Sequence, residues 1–274
     1  MSNGLALGAI TAGALIVTVP LFLILGTVLV RGLPRLNWAF LTQLPKPVGE
    51  AGGGVANAIV GSLEILALAS VIGVPLGVGC GIFLAEYGRN KWGNIVRFTA
   101  DVLNGVPSIV MGMTAWALVV VTQGDFSLLA GSVSLGIMMI PVIGRTTEEV
   151  LLLVPQPIRE AAWGLGIPYW RTTLSVVVPT ASAGILTSIM LAFARIAGET
   201  APLMFTVLGN EFWNVSLHGP ADALPLRIYR YATQPYEEAH QLAWTGALVL
   251  ISIIMFMVIF FRWLASRGTI KGAN

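Results

Sequence analysis

Long stretches of apolar residues constrain this chain more than any other feature of its sequence. A bilayer core about 30 Å thick is crossed by roughly 20 residues of α-helix, so an apolar stretch of about that length predicts a membrane span. Six such stretches run from about Leu7 to Val30, Ala58 to Ala85, Ile95 to Val121, Ser127 to Ile143, Ala181 to Leu208 and Leu242 to Leu264. The sequence therefore predicts an all-α integral membrane protein with six transmembrane helices.

The composition agrees with a surface that is covered largely by lipid. Of the 274 residues, 56% are hydrophobic and only 10% are charged, which is far fewer charges than a soluble domain carries. The net charge is only +2, and the basic residues are scattered rather than grouped in one patch. Because nucleic-acid binding needs a basic surface, this composition excludes that class of function.

The distribution of basic residues predicts which side of the membrane holds the termini. An even number of spans places both termini on one side, and cytoplasmic segments carry an excess of Lys and Arg. The termini and the even-numbered loops hold nine basic residues, whereas the opposite side holds five. Both termini are thus predicted to be cytoplasmic, although Arg31 and Arg35 directly after the first span favour the reverse orientation.

The chain is predicted to divide into three segments. Residues 1–57 form the first transmembrane helix and an outer loop, 58–264 form the main transmembrane domain, and 265–274 form a cytoplasmic tail. Within the second span, Gly73, Gly77 and Gly81 recur every four residues, a spacing that lets a second helix pack closely.

The predicted cytoplasmic loop at about 145–180 carries the most informative pattern. Pro157 suits the first turn of a helix that continues over Ile158 to Leu165, and Gly166 with Pro168 ends it. The result is a short amphipathic helix across the end of the bundle. On these features alone it is either a dock for a soluble partner or an ordinary interfacial helix.

This loop resembles the EAA motif of binding-protein-dependent ABC importer permeases. The matching residues are Glu160, Ala161, Ala162, Gly166 and Pro179. Val176 and Val178 stand where the family usually has Ile and Leu. The resemblance implies a type I, MetI-like importer fold whose coupling helix sits in a groove of an ATPase subunit.

Three further segments resemble the PstA family, one of the two permease subunits of phosphate-specific transporters. They read AEYGRN at Ala85–Asn90, NGVPSIVMG at Asn104–Gly112 and ARIAGETAPLMFT at Ala194–Thr206. The resemblance implies a permease for inorganic phosphate in a bacterial plasma membrane. It also implies three partners: a homologous PstC-like permease, a PstB-like ATPase dimer and an extracytoplasmic PstS-like phosphate-binding protein. The chain itself would be no enzyme and hold no cofactor, because ATP and Mg would bind the ATPase subunits.

Arg195 is the leading candidate for the substrate pathway. It lies near the middle of the predicted fifth span, where an Arg costs roughly 2.5–3.5 kcal/mol and an apolar neighbour returns only about 0.3–0.6. Glu199 is four residues further, so the two side chains are predicted to pair on one helix face. The alternative is a structural ion pair that only joins helices. Glu64 and Asp101 also lie in predicted spans and either complete this network or, as we favour, serve structure.

Two other functions remain open at this level. One is a permease for another oxyanion, such as molybdate, sulfate or phosphonate. The other is a secondary transporter that needs no ATPase, which the EAA-type loop and the lack of a visible inverted repeat disfavour. His218 and His240 lack metal-ligand spacing, and no Ser/His/Asp set is apparent.

Overall fold

The fold is built almost entirely from helices. A computed structural model describes residues 2–47, 50, 52–214 and 216–270. The helices in chain order are α1 Ser2–Gly32, α2 Trp38–Thr42, α3 Ala56–Ile82, α4 Lys91–Gly105, α5 Ser108–Ala115, α6 Val121–Gln123, α7 Leu128–Leu152, α8 Gln156–Gly164, α9 Tyr169–Thr172, α10 Val178–Thr180, α11 Ser182–Ala197, α12 Ala201–Thr206, α13 Leu224–Ala232 and α14 Glu237–Ile270. Single π-helical turns continue three of them, at Phe83–Tyr87, Trp116–Val120 and Thr173–Val177. The predicted all-α class is confirmed.

Four of these helices are long and apolar enough to cross a bilayer as single elements. They cover Ala6–Arg35, Ala56–Tyr87, Leu128–Leu152 and Glu237–Trp263. Two bent pairs have suitable length and composition if each pair forms one span, and they are Lys91–Gly105 with Ser108–Gln123 and Tyr169–Thr180 with Ser182–Ala197. The described part of the chain therefore contains four to six candidate spans.

The predicted third span, Ile95 to Val121, is not one straight helix. Its two halves, α4 and α5, meet at an angle of 104°. Val106 between them has extended backbone, with φ −70° and ψ 131°, because Pro107 disfavours helical geometry in the residue before it.

The predicted fifth span, Ala181 to Leu208, is also misplaced along the chain. The helical segment starts earlier, at Tyr169, bends by 70° near Ala181 and ends at Ala197. Gly198 follows as the C-cap, and a new short helix, α12, begins with Pro202 in its first turn. Glycine is a poor helix former and proline suits a helix start, so the break falls between them.

The tightest packing joins α3 to α7. A Cβ placed on Gly77 would lie 2.7 Å from the Cβ of Ile143, and one on Gly73 would lie 2.7 Å from the Cβ of Met139. Gly81 makes the same approach to Thr147. The predicted close-packing role of the glycine repeat is confirmed.

Helix α1 stands apart from this core. Among its described residues only Val28 and Gly32 are buried. Its end packs against α14, where the hydroxyl of Thr245 donates to the carbonyl of Gly32 over 2.9 Å. At the other end of the chain α14 continues to Ile270, so most of the predicted tail is helical, and residues 271–274 lie outside the described residues.

Candidate functional site

The predicted partner-docking helix exists as α8, at one end of the bundle. Pro157 occupies its first turn, as the sequence predicts. At its end Gly166 has φ +76°, and its backbone N–H donates to the carbonyl of Trp163. The backbone N–H of Ile167 donates to the carbonyl of Ala162 over 3.2 Å. These paired bonds form a Schellman cap, which favours glycine because its left-handed backbone is strained for other residues.

The surface around α8 is apolar and exposed. Leu165 is 81% exposed and Leu153 is 80% exposed. Trp170, at the same end of the bundle, is more than half exposed. Glu160 and Ala161 are exposed, whereas Ala162 is buried against the bundle. Large exposed apolar patches commonly mark protein contacts, so this end has the character of a docking surface. Pro179, the last predicted coupling residue, lies on α10 rather than on α8.

A buried ion pair that sequence reasoning missed holds α8 to the bundle. Arg159 Nη1 lies 2.5 Å from Glu86 Oε1, and Arg159 Nη2 donates to the carbonyl of Leu151 over 2.9 Å. The hydroxyl of Tyr169 lies 3.0 Å from Glu86 Oε2. The only signal in the sequence is a carboxylate at the end of a long apolar run, since Glu86 and Arg159 are 73 residues apart.

A second charged network lies at the same end, between α4 and α7. Glu148 is buried, and its two carboxylate oxygens accept hydrogen bonds from Arg97 Nε and Arg145 Nη1, each over 2.6 Å. Arg145 also pairs with Asp101 at 3.0 Å. Asp101 therefore belongs to this network and does not join Arg195 as one sequence alternative proposed.

The predicted Arg195–Glu199 pair does not form. Arg195 lies in the last turn of α11 and is exposed, whereas Glu199 lies beyond the helix end. Among the described residues neither side chain has a hydrogen bond or an ion pair. Because the helix ends at Ala197, the two residues are not on a common helical face, and Arg195 is not at mid-helix.

Glu64 is exposed on α3 and is also without an ion pair among the described residues. It borders a cavity of about 270 Å³ that is lined by Leu128 and Leu217. Within the described residues, the exposed surface thus carries a cation, Arg195, and a carboxylate, Glu64, that have no ion-pair partner and lie on two different helices.

The opposite end of the bundle is braced by another buried ion pair. Arg227 Nη2 lies 2.6 Å from Asp222 Oδ2, with 3% and 0% of the two side chains exposed. Burial raises the pKa of Asp222, while the charge of Arg227 acts in the other direction. Glu211, which is largely exposed, completes this network at 3.2 Å from Arg227 Nη1.

Residues 77–269 match the family described as binding-protein-dependent transport system inner membrane component. This range covers the last turns of α3 from residue 77, all of α4 to α13 and nearly all of α14. It includes α8 and both charged networks at that end of the bundle.

Proteins named phosphate transport system permease protein PstA resemble the chain over most of its length. The protein from Yersinia pestis is 43% identical over 240 residues, which cover 87% of this chain and 81% of that protein. The protein from Xylella fastidiosa strain 9a5c is 44% identical over 246 residues, covering 89% and 85%. A relative from Mycobacterium tuberculosis strain H37Rv, PstA 1, is 36% identical over 262 residues, covering 93% and 84%.

Solved structures of ABC transporters share the fold at low sequence identity. A bacterial alginate ABC transporter in complex with an alginate-bound periplasmic protein has a chain that is 12% identical, with a TM-score of 0.68 over 97% of this chain and 96% of that one. A chain of the MetNI methionine ABC transporter in an inward-facing conformation is 19% identical, with a TM-score of 0.60 over 78% and 94%.

Proposed function

Because the chain belongs to the family of binding-protein-dependent transport inner membrane components, we propose that it is the permease subunit of an ATP-driven importer of inorganic phosphate. The protein is a transporter component rather than an enzyme. The observation that carries the phosphate assignment is the 43–44% identity to phosphate permeases over more than four fifths of the chain.

The coupling role rests on α8. This short helix exposes Glu160 and Ala161 to a partner and is held at its end by the Schellman cap at Gly166. The exposed apolar side chains of Leu153 and Leu165 would be covered by an ATPase subunit. ATP and Mg would bind that subunit, and ATP-driven closure of the ATPase dimer would move α8.

The substrate pathway would lie between this chain and a homologous permease. A pathway between two subunits needs its polar groups on the surface of each, and Arg195 and Glu64 are exposed in the separate subunit. The guanidinium of Arg195 offers several donors in a planar fork, which match phosphate oxygens. Glu199, just beyond the end of α11, would contribute a negative charge to the same part of the pathway. Asp101 is instead paired with Arg145.

The remaining parts of the assembly follow from this role. A phosphate-binding protein would deliver the anion at the end opposite to α8. In that arrangement α8 and both termini would lie in the cytoplasm, and the chain would lie in a bacterial plasma membrane. The excess of basic residues in the segments at the α8 end supports this orientation.

Uptake by the reconstituted complex tests the proposal. The chain is assembled with its permease partner, ATPase and binding protein in liposomes, and ATP-dependent uptake of radiolabelled phosphate is measured. We expect unlabelled phosphate to compete and molybdate, sulfate and phosphonate to compete weakly. Preferred uptake of one of those anions would contradict the phosphate assignment, and uptake without ATP or the ATPase would contradict the importer assignment.

A further inference from the structure

The end of α3 holds a carboxylate that none of the transport roles above uses. Beyond Ile82 the helix widens into the π-helical turn Phe83–Tyr87, and π-turns within helices are frequent at functional sites. Within this turn only 1% of the side chain of Glu86 is exposed. A buried carboxylate is costly unless it is paired and hydrogen-bonded, so its partners define its role.

Among the described residues, the side-chain partners of Glu86 all lie on α8, on α9 or in the turn Thr173–Val177. Arg159 on α8 binds Oε1 at 2.5 Å, and Tyr169 on α9 lies 3.0 Å from Oε2. The hydroxyl of Thr173, one turn after Tyr169, lies 3.4 Å from Oε2. The carboxylate is thus held from both sides of the loop that joins α8 to α9.

Aromatic rings pack beside this contact, at the border of a cavity of about 410 Å³ that Glu86 and Arg159 also line. Tyr169 stacks on Trp163 of α8, with ring centroids 5.7 Å apart, and meets Tyr87 edge to face at 5.5 Å. Trp163, Tyr169 and the turn of α3 therefore form one packed unit. The side chains of Arg159 and Glu86 are only 10% and 1% exposed, and the low dielectric around buried groups strengthens an ion pair.

The backbone of α8 has few other routes into the bundle. Its nearest packed elements are α9 and the turn Thr173–Val177, which follow it in the chain. In the described part of the chain, the side-chain hydrogen bonds from α8 to the long helices come from Arg159, which binds Glu86 at the end of α3 and the carbonyl of Leu151 at the end of α7.

We propose that Glu86 is a positioning residue that transmits displacement of the coupling helix α8 to α3. It does so through its contacts with Arg159 and Tyr169. This inference rests on the proposed importer function and adds the route of coupling within the chain. Helix α3 carries Glu64 and packs against α7 through its glycines. A rigid link at its end therefore lets movement of α8 shift the exposed face on which Glu64 lies.

The decisive measurement is the amount of phosphate moved per ATP hydrolysed by reconstituted complexes. Glu86→Gln keeps the shape but removes the charge. We expect this ratio to fall by about five- to tenfold, at the lower end of typical coupling between sites, while ATP hydrolysis continues. Arg159→Gln should lower it similarly, and the double variant should be no worse than either single one, because both remove the same link.

Asp222→Asn is the matched control, because Asp222 also forms a buried ion pair but lies at the end opposite to α8. We expect it to lower thermal stability and leave the ratio unchanged. If Glu86→Gln likewise lowers stability and leaves the ratio unchanged, Glu86 is only structural and the inference is wrong.

A second measurement separates this inference from the phosphate assignment. Spin labels at the exposed positions Arg89 and Gln156, in a chain without Cys80, report the distance between the end of α3 and α8 with and without ATP. We expect one narrow distance in both states, and in Glu86→Gln a broadened or ATP-dependent one. A distance unaffected by Glu86→Gln overturns the inference, even in a complex that transports a different anion.

Discussion

Arg97 binds Glu148 through its Nε at 2.6 Å and at the same time closes the end of α3 with its two other nitrogens. Nη1 donates to the carbonyl of Gly88 and Nη2 to that of Leu84, at 2.8 and 2.9 Å. Helix ends leave carbonyls without partners, and one side chain here satisfies two of them. Three helices, α3, α4 and α7, are therefore joined at one guanidinium.

Arg97→Ala should reduce stability more than Asp101→Asn. The first leaves the buried Glu148 with Arg145 alone and frees two carbonyls, at a cost of about 1–3 kcal/mol. The second removes a pair in which the side chain of Asp101 is 57% exposed, and exposed pairs contribute up to about 1 kcal/mol. Thermal unfolding of the purified complex measures both. An equal loss in the two variants would show that Arg97 has no special bracing role.

Gly77→Ala should destabilise the bundle, whereas Gly79→Ala should not. A Cβ on Gly77 would lie 2.7 Å from that of Ile143, while one on Gly79 meets no atom within 4 Å. Overpacking typically costs about 1–3 kcal/mol, and alanine in an open helical position is favourable by up to about 1 kcal/mol. The melting temperatures of the two complexes give the comparison. Equal melting temperatures would contradict the close contact of α3 with α7.

Gly166→Val should weaken ATPase docking, and Gly164→Ala provides the matched control. Neither position has an atom within 4 Å of an added Cβ, but only Gly166 has a positive φ. Forcing a side chain into this conformation costs roughly 1–2 kcal/mol, or about a tenfold loss of affinity if docking needs the cap. Retention of the ATPase during affinity purification measures the effect. Full retention by Gly166→Val would exclude α8 as the dock.

Arg195→Ala should abolish most phosphate uptake, and Arg195→Lys should retain part of it. Lysine keeps the charge but loses the planar fork of donors. Leu191→Ala is the control, because Leu191 is 58% exposed one turn earlier on α11 and carries no charge. Uptake by assembled Arg195→Ala complexes near that of the unmodified complex would remove Arg195 from the pathway.

Cysteine labelling tests the orientation of the chain. With Cys80 replaced, a cysteine at Arg89 should react with an impermeant thiol reagent only from the cytoplasmic side. One at Asp125, in the exposed turn before α7, should react only from outside. The two positions lie at opposite ends of the bundle, so reversed labelling of both would invert the topology.

Sequence reasoning located the elements whose character is local. Apolar length identified α1, α3, α7 and α14, and proline and glycine positions identified α8 with its cap. It did not predict how the two halves of a broken span are oriented, as at Val106 between α4 and α5. A proline inside an apolar stretch indicates a break but does not give the angle between the two helices.

The site divides in the same way. The coupling helix was predicted, but its anchor at Glu86 was not, because an ion pair across 73 residues has no local signature. The prediction of an Arg195–Glu199 pair was wrong because it assumed that the helix continues past Gly198. Asp101 was recognised as a charge within an apolar stretch, but its partner Arg145 becomes apparent only when α4 and α7 are packed together.

Helix α1 packs on the bundle mainly through its end, against α14, and this affects how the chain adapts to its membrane. The helix has 31 residues and is about 46 Å long, well beyond a bilayer core of about 30 Å. Its side chains lie almost wholly outside the packed core, and the family match at residues 77–269 does not include it. Its tilt can therefore follow the thickness of the host bilayer without a change in the close contact between α3 and α7.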